Sequence, residues 1–145
     1  MNSSKTAAMI CHSLAIFPML VGGLIYTLSN SYMSYHAQAT SQTWQQLAPG
    51  VQVLFQAMLN GAGSLMLLTS LIMILLLAIP FRKNERWSIL AIPVIGISAL
   101  LITIRAAILV DFNTSANPPW LWLLPLIALF VIGLILSFKR ADKGE

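Results

Sequence analysis

The sequence predicts an all-α integral membrane protein: a four-helix bundle with a short interfacial helix between the first and second spans. Three observations predict it. Of the 145 residues, 58% are hydrophobic and only 8% are charged, where a soluble domain carries roughly 25% charge. The apolar residues gather in four runs, each near the roughly 20 needed to cross a hydrocarbon core. The cations fall in short clusters between those runs. A chain this short cannot hide so much apolar surface from water, so lipid is the solvent that suits it.

The first span is Ala7–Leu28, with Ser3 or Ser4 placed to cap its start and Pro18 inside it. Membrane helices tolerate such a proline. Lys5 ahead of an apolar run resembles a signal peptide, but this run exceeds the usual h-region of about 7–15 residues and no A-x-A-like site follows it. The second span is Gly61–Phe81, with an outer helical extension that starts near Val51. The third is Trp87–Val110, interrupted by Arg105. The fourth is Trp120–Phe138, opened by Pro118-Pro119, a first-turn signal. The links Arg82–Arg86 and Asp111–Pro119 are short and imply antiparallel neighbours. The whole chain, 1–145, reads as a single membrane domain.

Lys and Arg set the orientation. Lys5 precedes the first span; Arg82, Lys83 and Arg86 fill the second link; Lys139, Arg140 and Lys143 follow the fourth span. The first and third links contain neither residue. The positive-inside rule puts both termini in the cytoplasm. Trp87 then fits an inner aromatic belt, and Trp44, Trp120 and Trp122 an outer one. A net charge of +4 distributed this way is a signature of membrane orientation, and no nucleic-acid partner is expected.

The long link, Ser29 to Asn60, is the most polar part of the chain and the place to expect function. Tyr32–Leu47 lacks Gly and Pro and can form a helix on the membrane surface, with Tyr32, Tyr35, Ala39 and Trp44 on its apolar side. It lacks the Lys and Arg of a typical interfacial anchor. Pro49-Gly50 breaks the chain and starts the next helix. Gln52, Gln56, Asn60 and Ser64 recur every four residues, so they share one face. From Val51 to Phe81 a helix would run about 46 Å at 1.5 Å per residue, longer than the ~30 Å core. The stripe is then either a wet face or a polar cluster inside the bundle.

Arg105 bears on that choice. It stands about 27 Å from Trp87 along a helix axis, near the outer boundary of the core. An intramembrane Arg is costly and finds a partner or water. It would meet Asn60 and Gln56, with Asp111 as counter-ion if the helix ends between the two; otherwise it snorkels to the headgroups.

Little else points to chemistry. His36 next to Tyr35 could carry protons or bind metal, but no second ligand stands at suitable spacing. Cys11-His12 are adjacent on a helix and point about 100° apart, which suits core packing. Cys11 is the single cysteine, so no internal disulfide or CxxC site exists. Asp111 and Glu85 lie at opposite membrane faces, and Asp142 and Glu145 lie in the tail. There is no phosphate loop, HExxH or GxSxG, and no cofactor is expected. Gly22, Gly23, Gly61, Gly63 and Gly96 are candidate close-packing points between helices, and Ala57 and Gly61 form a small-x3-small pair.

Tyr35-His36, Trp44, Leu47 and Pro49-Gly50, followed by Pro80-Phe81-Arg82 and Glu85-Arg86-Trp87, resemble a group of small bacterial four-span membrane proteins without an established activity. The resemblance covers residues 32–119, implies a bacterial inner membrane, and supplies no catalytic residues. The leading expectation is a non-enzymatic protein that binds a lipid, a hydrophobic small molecule or a partner membrane protein through its outer segment. Tyr35, His36, Trp44, Gln52, Gln56, Asn60, Arg105 and Asp111 are its candidate site residues, and the architecture leaves room for a homo-oligomer. A second reading is a small transporter or channel with a polar path near Arg105. A third is a membrane enzyme using His36 and Asp111.

Overall fold

The computed structural model describes residues 3–141, with side chains to Phe138. Helix α1 spans Ser3–Leu28, the short α2 Ser34–Thr40, α3 Pro49–Leu76, α4 Arg86–Asn113 and α5 Leu124–Ala141. A 3₁₀ turn at Trp44–Gln46 precedes α3, and another at Trp120–Leu123 precedes α5. The stretches Ser3–Leu28, Pro49–Phe81, Arg86–Asn113 and Trp120–Phe138 are each long and apolar enough to cross a membrane. The chain is therefore an all-α four-helix bundle with one short helix between its first two spans.

The extension of the second span is longer than the sequence indicates, because Pro49 itself opens α3; a proline fits the first turn, whose N–H groups have no helical partner. At the other end, Pro80 would clash with the carbonyl four residues back in a regular helix. The helix widens there into a π-helical turn, Leu77–Phe81, which relieves that crowding. The expected surface helix over Tyr32–Leu47 is shorter and broken. It stops at Thr40, whose hydroxyl donates to the His36 carbonyl at 3.0 Å, and Ser41 takes a left-handed conformation with φ 54°. Hydroxyl side chains that bond their own backbone compete with helix propagation, and Thr40 to Thr43 is a run of such polar residues.

Helix α1 is the central element. It packs along α3 on one side and α5 on the other, while α4 completes the ring through α5 and, less extensively, α3. The α1–α3 contact is close enough to bring backbones together. A Cβ on Gly63 would lie 2.4 Å from the Thr27 nitrogen, and one on Gly23 would lie 2.7 Å from the Leu67 nitrogen. The main core joins Ala8, Ala15, Ile16 and Met19 of α1 to Met73 of α3, Ile92 of α4 and Phe130 of α5. A second, smaller cluster at the loop end joins Tyr32, Leu47 and Leu59.

The opposite end carries Lys5, Arg82, Lys83 and Arg86 and is called the basic end below. There the α3–α4 turn reverses through Asn84, which is left-handed at φ 68°. Lys5 Nζ donates to the Arg82 carbonyl and to Asn84 Oδ1, both at 2.7 Å. This clasp ties the start of α1 to the turn. The tail residues Asp142, Lys143 and Glu145, with the side chains of Lys139 and Arg140, lie outside the described residues.

Candidate functional site

The loop end is organised around Tyr32. Its ring is buried and stands edge-on to Trp44 and Phe55, with centroids 5.1 and 5.6 Å away. Its hydroxyl donates to the Gln42 carbonyl. Such T-shaped pairs stabilise beyond their buried area. Tyr35 reaches back to α1, where its hydroxyl and that of Tyr26 are hydrogen-bonded. Burial, and then that bond, hold the Tyr35 phenol above its ordinary range. The His36 ring packs against that of Tyr35, centroids 4.1 Å apart and planes inclined at 45°, and its Nδ1 accepts from the Met33 amide at 3.1 Å. The proton of the neutral imidazole is then on Nε2. Burial lowers the His36 pKa from the ordinary histidine value.

The polar stripe of α3 is recruited to this end as glue. Gln52 Nε2 donates to the Trp44 carbonyl at 2.7 Å. The Asn60 amide nitrogen faces the carbonyls of Tyr26 and Ser29 at 3.1 and 3.2 Å; carbonyls accept only, so it is the nitrogen that meets them. Asn60 thereby satisfies carbonyls at the end of α1 that have no helical partner. Gln56 is half-buried and Ser64 exposed. The stripe thus divides between inter-element bonds and an open face.

Arg105 is not brought together with these groups. Its side chain is exposed and, among the described residues, carries no hydrogen bond or ion pair to Asn60, Gln56 or Asp111. The helix continues to Asn113, so six residues at about 100° each turn Asp111 well away from Arg105. Asp111 Oδ2 instead accepts from the Trp120 indole at 2.9 Å, which fastens the α4–α5 connection. Ser115 in that connection donates to the Gln38 carbonyl of α2 at 3.2 Å. His36 and Asp111 therefore engage different partners rather than each other.

The basic end holds the cavity that sequence reading passed over. A groove of about 470 Å³ runs between α1 and α3. Met9, Ile16 and Leu20 line it from α1, Ile74 from α3, and Leu77 and Ala78 from the π-helical turn that continues α3. Leu14 and Phe17, 55% and 64% exposed, form a lip open to the side. Ser13 and Arg82 are the polar residues of the lining, and Arg82 stands at its end beside the turn. No signal along the chain marks the groove, because it arises where two helices distant in sequence face each other.

Deeper in the bundle lies His12, fully buried, with its ring 5.8 Å from that of Phe81 and 5.9 Å from that of Phe130. It fits because Gly133 faces it: a Cβ there would lie 2.6 Å from the imidazole. His12 thus lies in the core, whereas its neighbour Cys11 is only half-buried. The chain matches no family model, no curated protein and no solved structure.

Proposed function

We propose that the protein is a non-enzymatic, multi-pass protein of a bacterial inner membrane, both termini cytoplasmic, that binds a lipid or another hydrophobic molecule. One observation carries this reading: the side-open apolar groove between α1 and α3. Its volume falls within the range of about 300–1,000 Å³ usual for small-molecule sites, and it opens where lipid would be. The loop end supports the same reading in a different way. Its polar groups are largely spent on one another, so it braces the helices rather than offering reactive groups.

A phospholipid bearing a photoreactive diazirine on its acyl chain tests this. With the full-length protein in bilayers, labelling should concentrate on residues 9–20 and 74–82. The background is set by the exposed face of α4, such as Val94, Leu101 and Ile102. Labelling spread evenly over all lipid-facing helices would overturn the proposal.

A further inference from the structure

The groove has a length, an opening and a charge, and together they narrow its occupant. From Met9 to Leu20 its α1 wall runs about 16 Å at 1.5 Å per residue, close to half of the ~30 Å hydrocarbon core. That is the depth of one leaflet. The lip formed by Leu14 and Phe17 leaves it open sideways, so an occupant can enter from within the leaflet without crossing water. The lining is apolar except for Ser13 and, at the basic end, Arg82.

Around that end the charge is predominantly positive. Lys5 sits within 2.7 Å of the Arg82 carbonyl, and Lys83 and Arg86 are exposed on the same turn, with Glu85 the one acidic residue among them. Arg82 is exposed and also takes a place in the groove wall. A guanidinium presents a planar fork of donors that matches a phosphate, and basic pockets between membrane helices favour anionic headgroups.

We infer that this groove is a site for an anionic glycerophospholipid of the leaflet at the basic end, one acyl chain lying between α1 and α3 and the phosphate resting on Arg82. The inference rests on the lipid-binding reading above and adds the class of lipid, its leaflet and the residue that selects it. Arg82 is held in place for this task, because its backbone is fixed by Lys5 and by the turn through Asn84. Lys83 and Arg86 attract anionic lipid to the surface without lining the groove.

Native mass spectrometry of the full-length protein, released from nanodiscs of equimolar phosphatidylglycerol and phosphatidylcholine, tests both levels. Wild type should retain one lipid and favour phosphatidylglycerol by roughly fivefold or more. Ala78→Phe, which fills the groove, should lose retention of both lipids. Arg82→Gln should keep a lipid but bring the preference near unity; Arg82→Lys should restore part of it, and Lys83→Gln should leave it intact. No retention by wild type, or undiminished retention by Ala78→Phe, would overturn the lipid-binding reading itself. Retention that the Ala78→Phe variant abolishes, but with no preference in wild type or one that survives Arg82→Gln, would overturn only the assignment of an anionic lipid. If Arg82→Gln does not fold, the wild-type preference and the contrast between Arg82→Lys and Lys83→Gln still decide.

Discussion

His36 shows how a single side chain can tie a segment's order to pH. Its Nδ1 accepts a backbone bond that starts α2, and burial disfavours its charged form. Above pH ~6.5 the imidazole is neutral whether the segment is packed or open, so the packed form keeps its full stability. As pH falls through that value the open form takes up a proton that the packed form resists, and stability declines with it. The protection factors of amides 36–40, each taken relative to the intrinsic exchange rate at that pH, should therefore fall several-fold between pH 7.5 and pH 5. His36→Gln preserves an acceptor at this helical position and should abolish the dependence; a dependence that persists in the variant would place its origin elsewhere. Residue identity alone flagged His36, Tyr35, Trp44 and Gln52, and they do share one end of the bundle. It could not place Arg105 or Asp111. Their relation depends on where α4 stops, and a helix prolonged to Asn113 rotates them apart.

At the scale of elements, the pairing of α1 with α3 depends on two glycines whose missing side chains admit the opposing backbone. Gly63 and Gly61 make a controlled comparison. A Cβ on Gly63 would strike the Tyr26–Thr27 backbone, whereas one on Gly61 would meet nothing within 4 Å. Gly63→Ala should destabilise the bundle by about 1–3 kcal/mol, as overpacking does. Gly61→Ala should be neutral or gain up to ~1 kcal/mol from helix propensity. Reversible unfolding in mixed micelles reads both; equal effects at the two positions would contradict the packing described. The helices themselves were legible because hydropathy is a property of the chain taken in order. The broken surface helix was less so, because hydroxyl bonding at Thr40 and the left-handed turn at Ser41 outweigh the absence of Gly and Pro. Which helices pair was not legible: α3 and α4 are joined by a tight turn, yet α3 gives most of its contact to α1.

For the whole molecule, the lopsided distribution of Lys and Arg predicts which end faces the cytoplasm. With Cys11 replaced by Ala, a cysteine at Ser115 should react in intact cells with a membrane-impermeant maleimide, and one at Lys83 should react only after lysis. The reverse pattern would invert the topology. The sequence contains this asymmetry openly, because membrane insertion itself responds to it. The groove is hidden in it, since a cavity between residues 9–20 and 74–82 exists only once the helices have met. The central place of α1 has a consequence for how the chain is made. Of the four described spans, the earliest to be made, α1, finds one of its two main partners in the latest, α5. Until α5 arrives, the flank of α1 that carries His12 has neither Gly133 nor Phe130 to enclose it, and an imidazole lies bare to lipid or to whatever escorts the nascent protein. Assembly therefore cannot finish one hairpin at a time: until α5 is inserted, the three spans made before it surround an unfinished seam.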